Sequence, residues 1–446
     1  LRDDARIQAT IDLLAAAAES ARPADGTAFD FFRQRRFIGS KDRRAVADRL
    51  WGILRRWARL AWWIRRGLQQ AGEEVPDWDR IPPRWRVIAD LVLSDGMGIT
   101  GLDGLFTGDR FAPPPLSGRE RALARALKGR PLTVEDMPVW VRGEVPEWVV
   151  SRLDHLYGEH LPELLASLDA EAPTDLRVNT LKTNLEEAVA ALAAEEVEVV
   201  PTLWSPLALR LESRVNLPAT RTFRDGLVEV QDEGSQLVAL LTEARPGMTV
   251  CDFCAGAGGK TLALAATMEN KGRLAACDVS AGRMDRSAQR LKRAGVHSVT
   301  RHVLSSERDK WVKRQAGTFD RVLIDAPCSG SGTWRRNPDA KWRMTEEGLR
   351  ELSALQAAIL ESAARLVKPG GRLVYATCSL LPEENDAQIA RFLEASGETF
   401  RVLPVPSLWA AAVGAPRCPV DGAYLHLDPA RHGTDGFFAA VLERAV

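Results

Sequence analysis

Two cysteines stand just past β-type runs: Cys328 in DAPCSGSGT follows FDRVLID, and Cys378 in YATCS ends GRLVYAT. At the carboxyl edge of a sheet a cysteine is chemically useful, because its thiolate is strongly nucleophilic even when only partly populated near neutral pH. Asp325, three residues before Cys328, adds a hydrogen-bond acceptor to the same edge. The usual fate of a free cysteine is a small buried hydrophobe, but two thiols beside one carboxylate weigh toward chemistry. A third feature is the run VCDF-CAGAGGKT, a strand entering a glycine loop and then a helix. Gly256, Gly258 and Gly259 permit a tight turn and close ligand approach, and the N–H groups of the helix start face the sheet edge. A Walker A loop requires glycine where Cys254 stands, and a dinucleotide loop requires it where Thr261 stands, so neither phosphate motif fits. Asp278 lies 22 residues beyond Gly256, at the end of RLAACD, where an acidic side chain accepts hydrogen bonds from a ribose diol. Loop and acid together read as a nucleoside site.

Those edges need a sheet. Residues 232–446 alternate strand-like and helical runs (MTVCDF, LALAATM, RLAACD, RMDRSAQRLKRAG, SVTRHVL, FDRVLID, a long helix, GRLVYAT, ENDAQIARFLEAS, FRVLP, GFFAAVL), the pattern of a doubly wound α/β fold. Residues 144–231 mix two helices with LRVNTLK, the helix NLEEAVAALAAEE and short β-type pieces, which reads as a small α+β domain. Asn184 with Glu187 three residues on is a helix N-cap signature. Residues 1–143 carry only helical patterns. On a helical wheel Leu50, Ile53, Leu54, Trp57, Leu60, Ala61 and Ile64 share one arc, opposed by Arg49, Arg55, Arg56, Arg59 and Arg66, so the reading is one amphipathic helix with a basic face. Residues 29–66 hold twelve Lys or Arg against three Asp. That density suits a phosphate backbone and equally a solvated arginine face, and both readings stand on sequence alone. The tryptophans read as core.

At about 150 residues per domain the 446 residues imply roughly three domains. No apolar stretch approaches the roughly 20 residues of a membrane span, so an integral membrane protein is not expected. Sixty basic residues balance sixty acidic ones, so affinity for nucleic acid must come from locally segregated charge. Six cysteines without a signal-peptide pattern point to free thiols in the cytoplasm. Cys251-x-x-Cys254 has metal spacing but no second pair follows, Cys277 and Cys418 read as structural, and His155, His160, His297, His302, His426 and His432 show no ligand spacing. No metal is expected.

CAGAGGKT, DAPCSGSGTWRRNPDAKWR and YATCSLLPEEN together resemble the RsmB (Fmu/Sun) family of S-adenosylmethionine-dependent RNA cytosine methyltransferases. LRVNTLKT and LVEVQDEGSQL are similar to that family's small domain, and the helical region occupies the place of its N-terminal RNA-binding domain. The resemblance implies a Rossmann-like sheet, S-adenosyl-L-methionine as cofactor and RNA, most plausibly ribosomal, as substrate. It implies Cys378 as the nucleophile that adds to cytosine carbon 6, Cys328 as the residue assisting β-elimination, Asp325 on the pyrimidine edge and Lys260 positioning base and cofactor. It places the cofactor against Cys254, Ala255, Gly256, Ala257, Gly258, Gly259, Lys260, Asp278 and Asp325, with Arg283 alongside; Arg335, Arg336 and Lys341, following the Cys328 loop, read equally as phosphate contacts and as helix-capping or domain-packing residues. Ala257 stands where the family commonly has proline, and Leu304 or a neighbour where many members have aspartate, which leaves Ser305 or Ser306 for the adenine. Two rival functions remain: a DNA cytosine methyltransferase, in which the cysteine after proline attacks, and a ribosome-assembly factor that binds RNA without turnover.

Overall fold

The residues on the apolar arc of the N-terminal segment do pack together, but on two helices rather than one. In the computed structural model, which describes residues 1–446, helix Ser40–Arg55 buries Val46, Leu50, Ile53 and Leu54, and helix Trp57–Gln70 buries Leu60, Ala61 and Ile64. Between them Arg56 leaves the helical region, with φ −115° and ψ 21°. The break exposes fresh N–H donors, and those of Ala58 and Arg59 reach the Glu144 carboxylate at 2.9 Å each. A buried carboxylate from a distant segment thus caps the second helix, satisfying groups that a continuous helix would have paired internally.

The basic arc is occupied as well. Arg49 pairs with Asp90 and Asp95 at 2.7 Å, Arg56 with Asp90 at 2.8 Å, Arg59 with Glu144 and Asp169, and Arg66 with Asp136. Arg55 donates to the carbonyls of Asp169, Ala170 and Arg335. These five arginines therefore take the structural reading. Exposed cations that form none of these carboxylate pairs lie earlier, at Arg36, Lys41 and Arg44, in the stretch that also exposes Phe29 (68%) and Phe37 (75%).

By internal packing the chain divides into two units: Leu1–Ala170 with Trp334–Met344, and Glu171–Thr333 with Thr345–Val446. The division differs from segments 1–143, 144–231 and 232–446. Helices Glu147–Tyr157 and Leu161–Asp169 fall in the first unit, whereas the remainder of the middle segment shares a unit with the large sheet. Trp334–Met344 is an excursion into the first unit, where Asp339 accepts the Ala24 N–H at 2.9 Å. Lys341 is 1% exposed and Arg335 5%. Lys341 faces Asp169 at 3.9 Å and the charge of Glu144. A cation enclosed in that way cannot meet solvent phosphate, so the phosphate role falls for both residues.

In the second unit β1 (Asp175–Val178), β2 (Val199–Pro201), β3 (Ala208–Leu211) and β4 (Val228–Val230) form an antiparallel sheet in the order β2-β3-β1-β4. Helix Leu185–Ala193 covers it with Ala188 and Leu192, and Asn184 caps that helix by accepting the Glu187 N–H at 2.9 Å. The large sheet contains β5 (Thr249–Asp252), β6 (Arg273–Asp278), β7 (Val299–Val303), β8 (Phe319–Asp325), β9 (Val367–Thr377), β10 (Phe400–Leu403), β11 (Leu425–Leu427) and β12 (Phe437–Arg444). Its order is β10-β12-β9-β8-β5-β6-β7, with β11 beside β12; β5 to β9 are parallel and β12 antiparallel. Successive residues serve opposite faces: Cys251, Val322, Ile324 and Tyr375 pack with Ile359 and Leu360 on one side. Val250, Leu323, Val374 and Ala376 pack with Leu237 and Leu264 on the other. Both faces are covered, as a parallel sheet requires, and the α/β class read from the sequence holds. Strand order reverses between β6-β5 and β8, which opens a crevice at their carboxyl ends. No helix of the chain is long and apolar enough to cross a membrane.

Candidate active site

At the end of β5 the chain turns through the glycine loop into helix Gly259–Thr267. Gly258 has φ +84°, a left-handed conformation that side chains disfavour, and a Cβ there would press on Ser287 of the neighbouring helix at 3.0 Å. The loop is fastened from two sides. Asp278 at the tip of β6 accepts the Gly256 N–H at 2.8 Å and the Ser280 N–H at 2.7 Å. Arg290, paired with Glu229, donates to the Ala257 carbonyl at 2.9 Å. Beneath the loop Asp252 is fully buried and accepts the Thr261 hydroxyl at 2.6 Å. Burial, reinforced by the charge of Asp325, pushes its carboxyl up to about 7.

A cavity of about 600 Å³ opens above this loop, a size suited to a small-molecule ligand. Of the residues assigned catalytic or cofactor roles from the sequence, on the glycine loop and at Asp278, Arg283, Asp325 and the two cysteines, all but Gly258 line it: Cys254, Ala255, Gly256, Ala257, Gly259, Lys260, Asp278, Arg283, Asp325, Cys328 and Cys378. Gly258 lies behind the loop against Ser287. Lys260 is 7% exposed, and its ammonium donates to Asp325 at 2.7 Å. That pair joins the glycine loop from β5 to the end of β8.

Cys328 and Cys378 come from loops after adjacent strands β8 and β9, and their sulfurs are 3.4 Å apart. The hydrogen bond to Cys378, followed by burial, pushes the Cys328 thiol well above the usual range, so it rests protonated. Cys254 is likewise held up by burial and by Asp252, Asp325 and Asp278. The two cysteine loops are laced together: the Gly332 N–H donates to the Cys378 carbonyl at 3.0 Å, and the Gly436 N–H donates to the Gly332 carbonyl at 2.9 Å. A Cβ at Gly332 would overlap the Gly436 backbone.

Three features of the site go beyond the sequence reading. Leu304 lines the cavity but Ser305 and Ser306 do not; the Ser305 hydroxyl donates to Asp309 at 2.7 Å, and the Ser306 hydroxyl accepts the Arg308 N–H. Glu307 lines it instead. Gln231, Asp232 and Ser235 also reach the cavity; the run VQDEGSQ carried that signal, since polar residues gather there at a helix start. Glu384, in the PEEN of the motif after Cys378, is fully buried against both cysteine loops.

Comparison with known proteins agrees with this geometry. The family model described as 16S rRNA methyltransferase RsmB/F matches residues 239–443, and the RsmF/B-like ferredoxin-like domain matches residues 145–218. A probable ribosomal RNA small subunit methyltransferase B of Synechocystis is 32% identical over 430 residues, covering 94% of this chain and 95% of its own length. The ribosomal RNA small subunit methyltransferase B of Sodalis glossinidius is 31% identical, covering 83% of this chain and 88% of its own. The crystal structure of the protein PH0851 matches with a TM-score of 0.80 at 30% identity, over 100% of this chain and 99% of that one. With near full-length likeness added to the cavity, the glycine loop and the paired thiols, the chain belongs to the RsmB/F family of ribosomal RNA methyltransferases.

Proposed function

We propose that this protein methylates carbon 5 of cytosine in ribosomal RNA through a covalent adduct, with S-adenosyl-L-methionine as cofactor. The observation that carries the reading is the pair of thiols, Cys328 and Cys378, 3.4 Å apart in the same cavity as the glycine loop and the Lys260–Asp325 pair.

The residues present fit the cofactor. Gly256 borders the cavity, and a Cβ there would meet nothing within 4 Å, so a side chain would fill space that the loop leaves open. Asp278 holds the loop and retains acceptor capacity toward a ribose diol. Val279 and Leu304 supply apolar wall, and Glu307 supplies an acceptor for an exocyclic amine. Bound there, S-adenosylmethionine supplies the electrophilic methyl group that carbon 5 acquires.

Carbon 5 of cytosine is a poor nucleophile. The Cys378 thiolate adds to carbon 6, which turns the ring into an enamine with electron density on carbon 5. Asp325, steadied by Lys260, hydrogen-bonds the pyrimidine edge and favours the addition intermediate over the planar base. The Cys328 thiol first yields its proton to solvent, and its thiolate then takes the proton from methylated carbon 5; the carbon–sulfur bond to Cys378 breaks, Cys378 leaves as thiolate and the aromatic ring returns. A base that reacts in this crevice has left its stack.

We assign RNA holding to the helical region 1–143, with phosphate contacts at Arg36, Lys41 and Arg44 and base stacking at Phe29 and Phe37. The six free thiols favour the cytoplasm as its place of action. The test is a denaturing gel of Cys328→Ala and Cys378→Ala incubated with S-adenosylmethionine and unmodified ribosomal RNA. A covalent protein–RNA band in the first variant alone is the expected result. A band only with Cys378→Ala reverses the roles toward the chemistry of DNA enzymes. Full methylation by Cys378→Ser overturns the adduct altogether.

A further inference from the structure

Glu384 sits in the turn Pro382–Glu384 and is 0% exposed. Its carboxylate meets four donors and no cation. Oε1 accepts the Ser329 N–H at 2.8 Å and the Gln356 side-chain amide at 2.9 Å. Oε2 accepts the Ser329 hydroxyl at 2.5 Å and the Ser379 hydroxyl. Ser329 follows Cys328 directly and Ser379 follows Cys378. The same Gln356 amide donates to the carbonyl of Pro327, just before Cys328, at 2.9 Å. The turn itself is anchored, because the Tyr375 hydroxyl donates to the Glu384 carbonyl at 2.7 Å.

An unpaired carboxylate in a protein interior is costly, and filling space would not require one. What it alone provides is two acceptor oxygens that gather donors from two backbone segments at one point, each bond strengthened by the charge. We propose that Glu384 is the positioning residue of the two-cysteine site: its carboxylate ties the loop behind Cys328 to the loop behind Cys378, so that both thiols address the same base. The proposal rests on the reading of the two cysteines above. Carbon 5 and carbon 6 are adjacent ring atoms, so the group that adds at one and the group that deprotonates the other must be held close together. The serine hydroxyls act as the pins, since each lies one residue from a reacting sulfur.

The test measures sulfur juxtaposition without RNA. Oxidised glutathione converts one thiol to a mixed disulfide and releases one glutathione; the second thiol then displaces the other, so that two protein thiols and one oxidised glutathione give one protein disulfide and two glutathiones. Closure is followed by mass spectrometry in the full-length protein, wild type and E384A, alongside binding of S-adenosylhomocysteine by calorimetry. In E384A closure slows by about tenfold or more, the scale of a misplacement near 1 Å, and kcat falls while KM and cofactor binding hold. E384Q rescues closure, because its amide oxygen still takes the Ser329 N–H and the Gln356 amide, while its NH₂ donates to serine hydroxyls that rotate to accept. Where E384A does not fold, S329A with S379A removes the pins and keeps the carboxylate, and the same slowing is expected. Wild-type closure in a folded E384A, or in the double serine variant, overturns the proposal. A missing RNA adduct in Cys328→Ala together with Glu384-dependent closure would sink the cytosine chemistry and leave the positioning intact.

Discussion

Asp252→Asn removes a charge from beneath the glycine loop, and the structure fixes both the sign and the size of its effect. In the folded chain burial raises Asp252 from the ordinary 3.8 to about 7. Below the ordinary value both folded and unfolded chains carry the proton, and the group contributes nothing. Between the two values the unfolded chain releases a proton that the folded chain retains, so stability falls as pH rises; above about 7 the loss is complete. The displacement corresponds to about 4 kcal/mol. Asparagine keeps the acceptor for the Thr261 hydroxyl but places an NH₂ where Oδ1 has no partner, at a cost of about 1–3 kcal/mol. The neutral aspartic acid of the wild type carries a similar unmet donor at low pH. The variant should therefore match wild type below the ordinary value of 3.8 and exceed its stability by about 4 kcal/mol above pH 8. Urea unfolding of both proteins across that range, read as a difference so that shared terms cancel, checks it. A difference that stays constant with pH would refute the reasoning, because no proton would then distinguish the folded Asp252 from the unfolded one.

Gly332→Ala drives a methyl group into the Gly436 backbone, so it should lower stability by about 1–3 kcal/mol, the scale of overpacking, and slow methylation; a melting temperature equal to wild type would show that the loops yield freely. Neutralising Arg36, Lys41 and Arg44 should reduce the salt dependence of RNA binding by about 0.7–0.9 for each phosphate that these side chains no longer neutralise. Arg49→Gln, whose partners are Asp90 and Asp95, should leave that slope unchanged, and filter binding over a salt series distinguishes the two.

What could be read from the sequence followed local rules. Short apolar strand-like runs alternating with helical ones located β5 to β10 and β12, and the carboxyl ends of β5, β8 and β9 then had to bring Cys254, Asp325, Cys328 and Cys378 to one edge. β11 escaped because three residues carry no period. The helix break at Arg56 was illegible for a different reason: its cause is Glu144, whose carboxylate supplies acceptors no local pattern announces. Lys341, following the Cys328 loop, read equally as a phosphate contact and as a packing residue, and enclosure by Asp169 and Glu144 selects packing. Glu384 was visible as a letter in the motif, but its partners come from three separate segments, and only folding gathers them.

The excursion of Trp334–Met344 also governs how this protein can be taken apart. A cut after Ala170 separates the halves as a gene but not as folded matter, because the C-terminal fragment would carry away Trp334, Arg335 and Lys341, all buried in the N-terminal unit. The N-terminal fragment would lose the carboxylate that receives the Ala24 N–H and the carbonyl that receives Arg55. A single proteolytic nick between the units should leave both pieces associated until denaturant is added. Recombination faces the same constraint: the helical unit cannot be exchanged for another domain by joining at one point, since eleven of its residues, Trp334–Met344, are encoded inside the methyltransferase sequence. The helical unit and the methyltransferase unit are inherited here as one interleaved reading frame.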